Sequence, residues 1–156
     1  MTMNLSTFFL CLVLLMGSLS FSRQARATLG EGADSIARDS KSLSAVKRAT
    51  TSGSNYTVQE VVSDATTVRE FLNSDGIVFA VAWNGLVHPD LKTLLGSYAG
   101  EYQDAKQQAP RKHGQRRLRV ETDRVVVETW GHMRNLQGRA YLPALLPQGV
   151  SANEIK

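Results

Sequence analysis

The longest apolar stretch in the interior of the chain predicts a buried central strand. Every position of residues 77–83, which read Ile-Val-Phe-Ala-Val-Ala-Trp, is apolar. A strand that is covered on both faces shows such a continuous apolar pattern, whereas apolar and polar residues alternate in a strand with one solvent-exposed face. Because successive side chains of a strand point to opposite faces, alternation divides this strand into two sets: Ile77, Phe79, Val81 and Trp83 on one face, and Val78, Ala80 and Ala82 on the other.

Shorter patterns on both sides of this strand predict its neighbours in a sheet. Residues 56–62 and 66–72 are rich in β-branched side chains and partly alternate. Residues 118–121 and 124–130 flank a Thr-Asp turn and are typical of a hairpin, and residues 138–142 are typical of a last strand. Links of hairpin length favour antiparallel pairing of these strands.

One helix is predicted between the central strand and the hairpin. Pro89 and Asp90 are typical of a first helical turn, where proline loses no hydrogen bond and a carboxylate meets the positive end of the helix dipole. The helix should end near Gln108, before Pro110. Its apolar residues recur at helical spacing and form one stripe: Leu91, Leu94, Leu95, Tyr98 and Tyr102. We therefore predict an α+β fold, in which an antiparallel sheet of about five to six strands carries one main helix on a face.

The N-terminal region, residues 1–27, is typical of a removable signal peptide. Its apolar run, residues 8–16, is shorter than the roughly 20 residues that a transmembrane helix needs. Ala25 and Ala27 form the small-x-small pattern that a signal peptidase recognises, so cleavage would expose Thr28. We expect export to the periplasm or secretion, and the alternative is a leader that is retained as a membrane anchor.

Composition divides the chain after residue 27 into segments and excludes some kinds of site and partner. Residues 28–55 are rich in Gly, Ser, Ala and Thr and predict a flexible N-terminal segment, followed by a single domain at 56–150 and a tail at 151–156. Cleavage would remove Cys11, the one cysteine, and with it any disulfide or thiolate site. It would also remove two of the four net positive charges, so the charge balance indicates no nucleic-acid partner.

The strongest local charge feature is a basic cluster at residues 111–119. Its cationic residues and its histidine are Arg111, Lys112, His113, Arg116, Arg117 and Arg119. Two interpretations are open: a solvated connection between the helix and a strand, or a surface that binds acidic lipid headgroups, acidic polysaccharide or another anion. No aromatic residues alternate with these charges, as base stacking would require.

Several sequence motifs resemble a known bacterial family. They lie at residues 28–31 (TLGE), 78–85 (VFAVAWNG), 89–91 (PDL), 94–98 (LLGSY), 131–134 (GHMR) and 138–143 (GRAYLP). They span nearly the whole mature chain and are similar to the family known as domain of unknown function 2844. The resemblance implies an exported proteobacterial protein to which no activity is assigned, and it carries over no catalytic residue.

Four residues are candidates for contact with a ligand or partner: His132, Arg134, Arg139 and His88. His132 and Arg134 follow a strand predicted to end at Trp130, where they could bind an anion or a carboxylate. In the alternative interpretation, they bond backbone carbonyls or pair with Glu128 or Asp90. The alternative for His88 is a structural role as a helix cap or a turn residue.

The chain contains no sequence signature of catalysis. It has no His-Glu-x-x-His, no Gly-x-Ser-x-Gly and no glycine-rich phosphate loop, and we expect neither a metal nor a cofactor. The leading hypothesis is a non-enzymatic module that binds an envelope protein or another envelope component. One alternative is a small hydrolase or metal-dependent enzyme that uses His132. The other is an anion-binding surface protein that binds an acidic polymer through residues 111–119.

Overall fold

The fold is built on one seven-stranded antiparallel sheet. The computed structural model describes residues 29–32, 46–53, 55–110, 114 and 116–156, so the predicted signal peptide and Thr28 lie outside the described residues. The strands are β1 (Val46–Ser52), β2 (Thr57–Val62), β3 (Thr66–Leu72), β4 (Val78–Gly85), β5 (Arg117–Glu121), β6 (Val126–His132) and β7 (Asn135–Tyr141). They pair in the order β1-β2-β3-β4-β7-β6-β5, and every pair is antiparallel. The predicted α+β fold with an antiparallel sheet is confirmed.

The first strand lies in the segment that was expected to be flexible, residues 28–55. It is β1, and it adds one strand to the number predicted. Leu29, from the same segment, is buried, and its N–H donates to the carbonyl of Leu94 at 3.1 Å. Ordered structure therefore begins before Tyr56, its expected start, because the segment contributes both a sheet edge and a core residue.

The predicted helix forms as an 18-residue helical segment between β4 and β5. It consists of α1 (Leu91–Leu95), a 3₁₀ turn (Gly96–Tyr98) and α2 (Ala99–Gln108). The Asp90 carboxylate accepts a hydrogen bond from the Lys92 N–H at 3.0 Å, so Asp90 caps α1 instead of lying in its first turn. The predicted apolar stripe packs on one face of the sheet and forms the helix-side core. Within the described residues, no helix is long and apolar enough to cross a membrane.

A β-bulge interrupts the alternation of β4. Phe71 of β3 lies opposite Ala80, and the next residue, Leu72, lies opposite Val78. Phe79 is therefore the additional residue in β4 at this point. A bulge places two residues of one strand against one residue of its partner and so reverses the alternation beyond it.

The bulge corrects the predicted assignment of side chains in β4. Strict alternation placed Phe79 with Val81 and Trp83 and placed Val78 on the other face, and this prediction is wrong. Val78 lies in the helix-side core together with Val81 and Trp83. Phe79 lies in the core on the opposite face, next to Ala80. The continuous apolar run thus supplies side chains to a core on each face, as expected, but Val78 and Phe79 lie on the faces opposite to those predicted.

The C-terminal segment, residues 143–156, covers the face of the sheet opposite the helix. It contains two 3₁₀ turns, Pro143–Leu145 and Ala152–Glu154. Ile155 is completely buried and packs with Phe79 in this second, segment-side core. The expected C-terminal tail is therefore part of the fold, and the sheet lies between the helix and this segment.

Candidate functional site

A row of six side chains, five of them charged, crosses the sheet on the face that the C-terminal segment covers. Its members are direct cross-strand partners in neighbouring strands: Arg119, Glu128, Arg139, Ala82, Arg69 and Glu60. Directly opposite residues of a sheet point to the same face, and Ala82 belongs to the segment-side core. The register of the sheet therefore brings together charges that are far apart in the sequence.

Glu128 is the centre of this row, and its side chain is 2% exposed. Its Oε2 accepts a hydrogen bond from Nε of Arg139 at 2.6 Å, and its Oε1 accepts one from Nη1 of Arg119 at 2.9 Å. Nη2 of Arg117 lies 3.7 Å from Oε2. Burial alone would raise the pKa of Glu128, but the hydrogen bonds and charges of Arg139 and Arg119 outweigh burial and lower this pKa. One ionised carboxylate thus faces three guanidinium groups.

Two arginines of the row also hold the C-terminal segment against the sheet. Nη1 of Arg139 donates to the carbonyl oxygen of Ala152. Arg69 donates from Nε to Glu60 at 3.0 Å and from Nη1 to the main-chain oxygen of Lys156 at 3.2 Å. These bonds place the end of the segment beside the adjoining row on the same face, whose members are again direct cross-strand partners: Arg117, Trp130, Gln137 and Asn84.

A cleft of about 440 Å³ opens between this adjoining row and the C-terminal segment, and we call it the basic cleft. Trp130 of β6 lines it, and the indole Nε1 donates to Oε1 of Gln137 at 3.1 Å. The guanidinium carbons of Arg117 and Arg139 lie 5.7 and 5.8 Å from the centroid of the Trp130 ring. At these distances a cation is attracted to the ring, so Trp130 helps to hold both arginines at the cleft.

The lining of the basic cleft carries an excess of positive charge. Among the described residues that line it, none is acidic and four are cationic: Arg69, Arg117, Arg139 and Lys156. The Arg117 side chain is 63% exposed, so its guanidinium is accessible from the cleft. Asn84 and Gln137 add amide groups that can donate or accept hydrogen bonds. Guanidinium and ammonium groups bind carboxylates and phosphates through charge-assisted hydrogen bonds, so this cleft is suited to an anion.

Of the four residues predicted for ligand contact, Arg139 lies in the basic cleft. His132 and Arg134 lie at the turn of the β6–β7 hairpin and are exposed. Nδ1 of His132 lies 3.3 Å from the carbonyl oxygen of Met133, and Arg134 has a φ of 65°. Pairing with Glu128 was one of the alternatives for His132 and Arg134. In the structure, Arg139 makes this pair.

His88 lies on the other face of the sheet. Its Nδ1 accepts a hydrogen bond from the indole Nε1 of Trp83 at 3.0 Å, and Trp83 belongs to the helix-side core. Burial, followed by the positive charge of Lys106, lowers the pKa of His88. Since Asp90 is the helix cap, His88 has a different structural role, that of a partner for Trp83. His88 and Arg139 therefore do not share a site.

The structure divides the predicted basic cluster. Residues 111–113 and 115 lie outside the described residues. Arg116 is exposed and precedes β5, whereas Arg117 and Arg119 alternate onto the face that carries Glu128. Two of its arginines thus belong to the ion network and the basic cleft instead of a solvated loop.

Sequence reasoning missed most residues of the basic cleft, among them Arg69, Asn84, Trp130 and Lys156. Each strand residue among them lies one or two positions from an apolar residue, so the local pattern predicts only a strand. A signal was available within β6, because Glu128 and Trp130 have the same parity and must share a face. The contribution of Arg69 depends on the register across several strands, which no local pattern encodes.

No group of three or more His, Cys, Asp or Glu residues that could hold a metal ion occurs in the part of the chain that the structure describes. Neither the curated proteins nor the solved structures include a match to this chain. Among known protein families, residues 25–155 match the family described as "Protein of unknown function (DUF2844)". This match covers most of the chain, and the protein therefore belongs to the DUF2844 family.

Proposed function

We propose that this protein is an exported binding module of the cell envelope that holds an anionic group of its ligand in the basic cleft. The observation that carries this proposal is the charge of the lining, which has four cationic side chains and, among the described residues, no acidic side chain. Arg69 and Arg139 pair with Glu60 and Glu128, so Arg117 and Lys156 supply the excess of positive charge. A cavity of about 440 Å³ with convergent polar groups and an aromatic wall has the features of a small-ligand site.

The arrangement of charges supports a ligand as the missing counter-charge. Three arginines share Glu128, and Arg119 also pairs with Glu121 at 2.9 Å. Two carboxylates thus face three guanidinium groups, and the network keeps one net positive charge. Arg117 lies 3.7 Å from Glu128, beyond the distance of a strong hydrogen bond. A ligand carboxylate or phosphate beside Trp130 would give this guanidinium a close partner.

The predicted signal peptide supports the proposed location in the cell envelope. Residues 1–27 with the small residues Ala25 and Ala27 before Thr28 favour export, and an exported protein meets acidic polymers and proteins of the envelope. We accordingly propose a carboxylated or phosphorylated envelope component as the ligand.

The test compares two arginines that are neighbours in the sequence. Protein produced from the full coding sequence is measured for binding to polygalacturonate, polyglutamate and polyphosphate. Arg117 lines the cleft, whereas Arg116 is exposed and does not, so Arg117→Gln and Arg116→Gln remove the same charge from two different places. We expect Arg117→Gln to weaken binding of the preferred polymer about tenfold, which corresponds to about 1.4 kcal/mol.

The control variant Arg116→Gln should change the affinity by no more than about twofold, as is usual for an exposed charge. Equal losses in the two variants would show that binding depends on net charge alone and would overturn the cleft as the site. If the protein bound none of the three polymers, the proposed function itself would be overturned.

A further inference from the structure

We infer that one end of the sheet docks on the surface of a bilayer that carries anionic lipids. Three large apolar side chains of the described residues are exposed: Leu86 (55%), Val87 (52%) and Met133 (91%). Single exposed apolar side chains are common on protein surfaces, whereas a group of them marks a contact surface. None of the three lines the basic cleft, so this inference goes beyond the proposed function.

The three side chains lie at the same end of the sheet, and we call them the apolar patch. Gly85, the last residue of β4, pairs with Leu136 of β7. Leu86 and Val87 follow Gly85, and Met133 lies in the turn between β6 and β7. Two strand spacings of about 4.8 Å separate β4 from β6, so the backbones of Leu86 and Met133 lie on the order of 10 Å apart.

Two exposed arginines lie at the same end as the apolar patch. Arg134 follows Met133 in the turn, and Arg116 precedes β5, whose first residues pair with the last residues of β6. Asp64, in the β2–β3 turn at this end, opposes them with one negative charge. An apolar side chain can enter the layer of lipid headgroups while a neighbouring guanidinium binds a lipid phosphate. Met133 and Arg134 form such a pair at the tip of a hairpin.

Acidic residues outnumber cationic residues at the opposite end of the sheet. Among the described residues, the acidic ones there are Glu31, Asp75, Glu101, Glu121 and Asp123. The cationic ones there are Lys92 and Arg124. Arg124 pairs with Glu101, and Arg119 reaches Glu121 from the middle of β5. This asymmetry of charge turns the end that carries the apolar patch toward an anionic surface.

The backbone of Arg134 supports a role for its charge. Its φ is 65°, in the left-handed region that glycine and asparagine adopt more readily than other residues. Arg134 is the one non-glycine residue in this region among the described residues. Strain of this kind is kept at positions where the side chain has a function. Contact with a lipid phosphate would supply that function for the guanidinium.

The form of the surface favours a bilayer over a folded partner. A stable protein interface buries about 800 Å² of each partner, which is more than three apolar side chains supply. Met133 is 91% exposed and projects from its turn. A protein partner would need a pocket that fits this side chain, whereas a layer of headgroups adapts to it.

The experiment measures binding to vesicles and compares turns at the two ends of the sheet. Protein produced from the full coding sequence is sedimented with vesicles of phosphatidylglycerol or of phosphatidylcholine. We expect at least about tenfold tighter binding to phosphatidylglycerol, weakening as salt rises. Met133→Asp removes an apolar contact and adds a negative charge, and should weaken this binding about tenfold. Ser74→Asp adds the same charge in the exposed β3–β4 turn and should change it by less than about twofold.

A second pair of variants tests the charge of Arg134. Arg134→Asn removes the charge and suits the left-handed backbone, so the turn is kept. It should weaken binding to phosphatidylglycerol about fivefold without lowering the urea midpoint of unfolding. Lys92→Gln removes a charge from an exposed position near the opposite end and should change binding by less than about twofold. A lower urea midpoint for Arg134→Asn would show that the arginine supports the fold and would overturn its assignment to lipid.

The outcomes separate the apolar patch from the basic cleft. Vesicle binding that is lost in Arg117→Gln and kept in Met133→Asp would overturn the patch and assign the lipid to the cleft. Equal binding to both kinds of vesicle, unchanged in Met133→Asp, would assign it to the predicted signal peptide and overturn the patch as well. Self-association that Met133→Asp abolishes, without vesicle binding, would replace the bilayer by a second copy of the chain. Vesicle binding that depends on Met133, in a protein that binds none of the three polymers, would support this inference while the proposed function fails.

Discussion

Glu128 and Arg139 are direct partners across β6 and β7, and their Oε2 and Nε atoms lie 2.6 Å apart with both side chains buried. The pair joins the sheet to the C-terminal segment, because Arg139 also donates to the carbonyl of Ala152. Removing one partner of such a pair leaves a buried charge without compensation, which is more costly than losing an exposed ion pair.

The two partners of this pair should differ in their contribution to stability. Glu128→Gln removes the carboxylate that Arg117 and Arg139 share, while Arg119 keeps Glu121, and should lower the free energy of unfolding by about 3–5 kcal/mol. Arg139→Gln should cost less, because Glu128 keeps Arg119 at 2.9 Å. Urea denaturation measures both. A larger loss for Arg139→Gln than for Glu128→Gln would contradict the central position of the carboxylate.

Glu128 should make the protein sensitive to acid. The pKa of its carboxyl is lower in the folded chain than its ordinary value of 4.5, so the folded state binds fewer protons than the unfolded state. This contribution to stability is complete above the ordinary pKa and is lost as the pH falls through the lower pKa of the folded state. Urea midpoints between about pH 7 and about pH 3 should therefore fall more steeply in the wild type than in Glu128→Gln. Parallel curves would contradict this assignment.

Two glycines should respond in opposite directions to a methyl group. Gly138 lies directly opposite Trp83, and a Cβ at Gly138 would overlap the indole ring. Gly138→Ala should therefore destabilise the protein by about 1–3 kcal/mol through overpacking. Gly100 lies within α2 with open space around it, so Gly100→Ala should stabilise the protein by about 1 kcal/mol. Thermal unfolding of both variants measures this difference, and a tolerated Gly138→Ala would show that both the Trp83 ring and the Glu128 carbonyl can move.

His88 should remain neutral to lower pH than an ordinary histidine. Its pKa lies below 6.5, because burial and the charge of Lys106 oppose protonation. The bond from the Trp83 indole also requires an unprotonated Nδ1. Its stabilising contribution is complete above about pH 6.5 and is lost as the pH falls below that value. NMR titration should show the Trp83 indole N–H resonance shifting together with His88 protonation, and Lys106→Gln should raise the midpoint. An indole resonance that ignores this titration would argue against the bond in solution.

The predicted signal peptide leads to a direct prediction about mass. Protein recovered from a periplasmic extract of its native host should have the mass of a chain that begins at Thr28, because Ala25 and Ala27 provide the cleavage pattern. Intact mass spectrometry of the periplasmic and membrane fractions measures this. Full-length protein confined to the membrane fraction would instead indicate a retained anchor that keeps Cys11.

Local patterns predicted the elements of the fold better than their relative placement. Spacing located the helix up to Gln108, and turn residues located the β5–β6 hairpin, because both depend on neighbours in the sequence. The bulge at Phe79 could not be predicted in this way. Because every residue of the run is apolar, the sequence does not indicate which side chains face which side of the sheet. The position of the bulge depends on pairing with β3.

The basic cleft was even less accessible to sequence reasoning. The sequence predicts Arg139 as a contact residue, but it groups Arg139 with His132 and Arg134, which lie at a turn. The true neighbours of Arg139 include Arg69 and Lys156, which come from another strand and from the end of the C-terminal segment. Register across the three strands β3, β4 and β7 and the path of that segment bring them together, and both are consequences of tertiary structure.

The burial of Ile155 has a consequence for how the chain acquires its structure. The segment-side core joins Phe79 of the central strand to a residue that is made more than seventy positions later. This core stays open at one side until residue 155 has been synthesised, however early β3 and β4 pair. Nascent chains of this protein should therefore expose apolar surface at least until residue 155 has been synthesised, and holding factors that bind unfolded segments can act on that surface during this time.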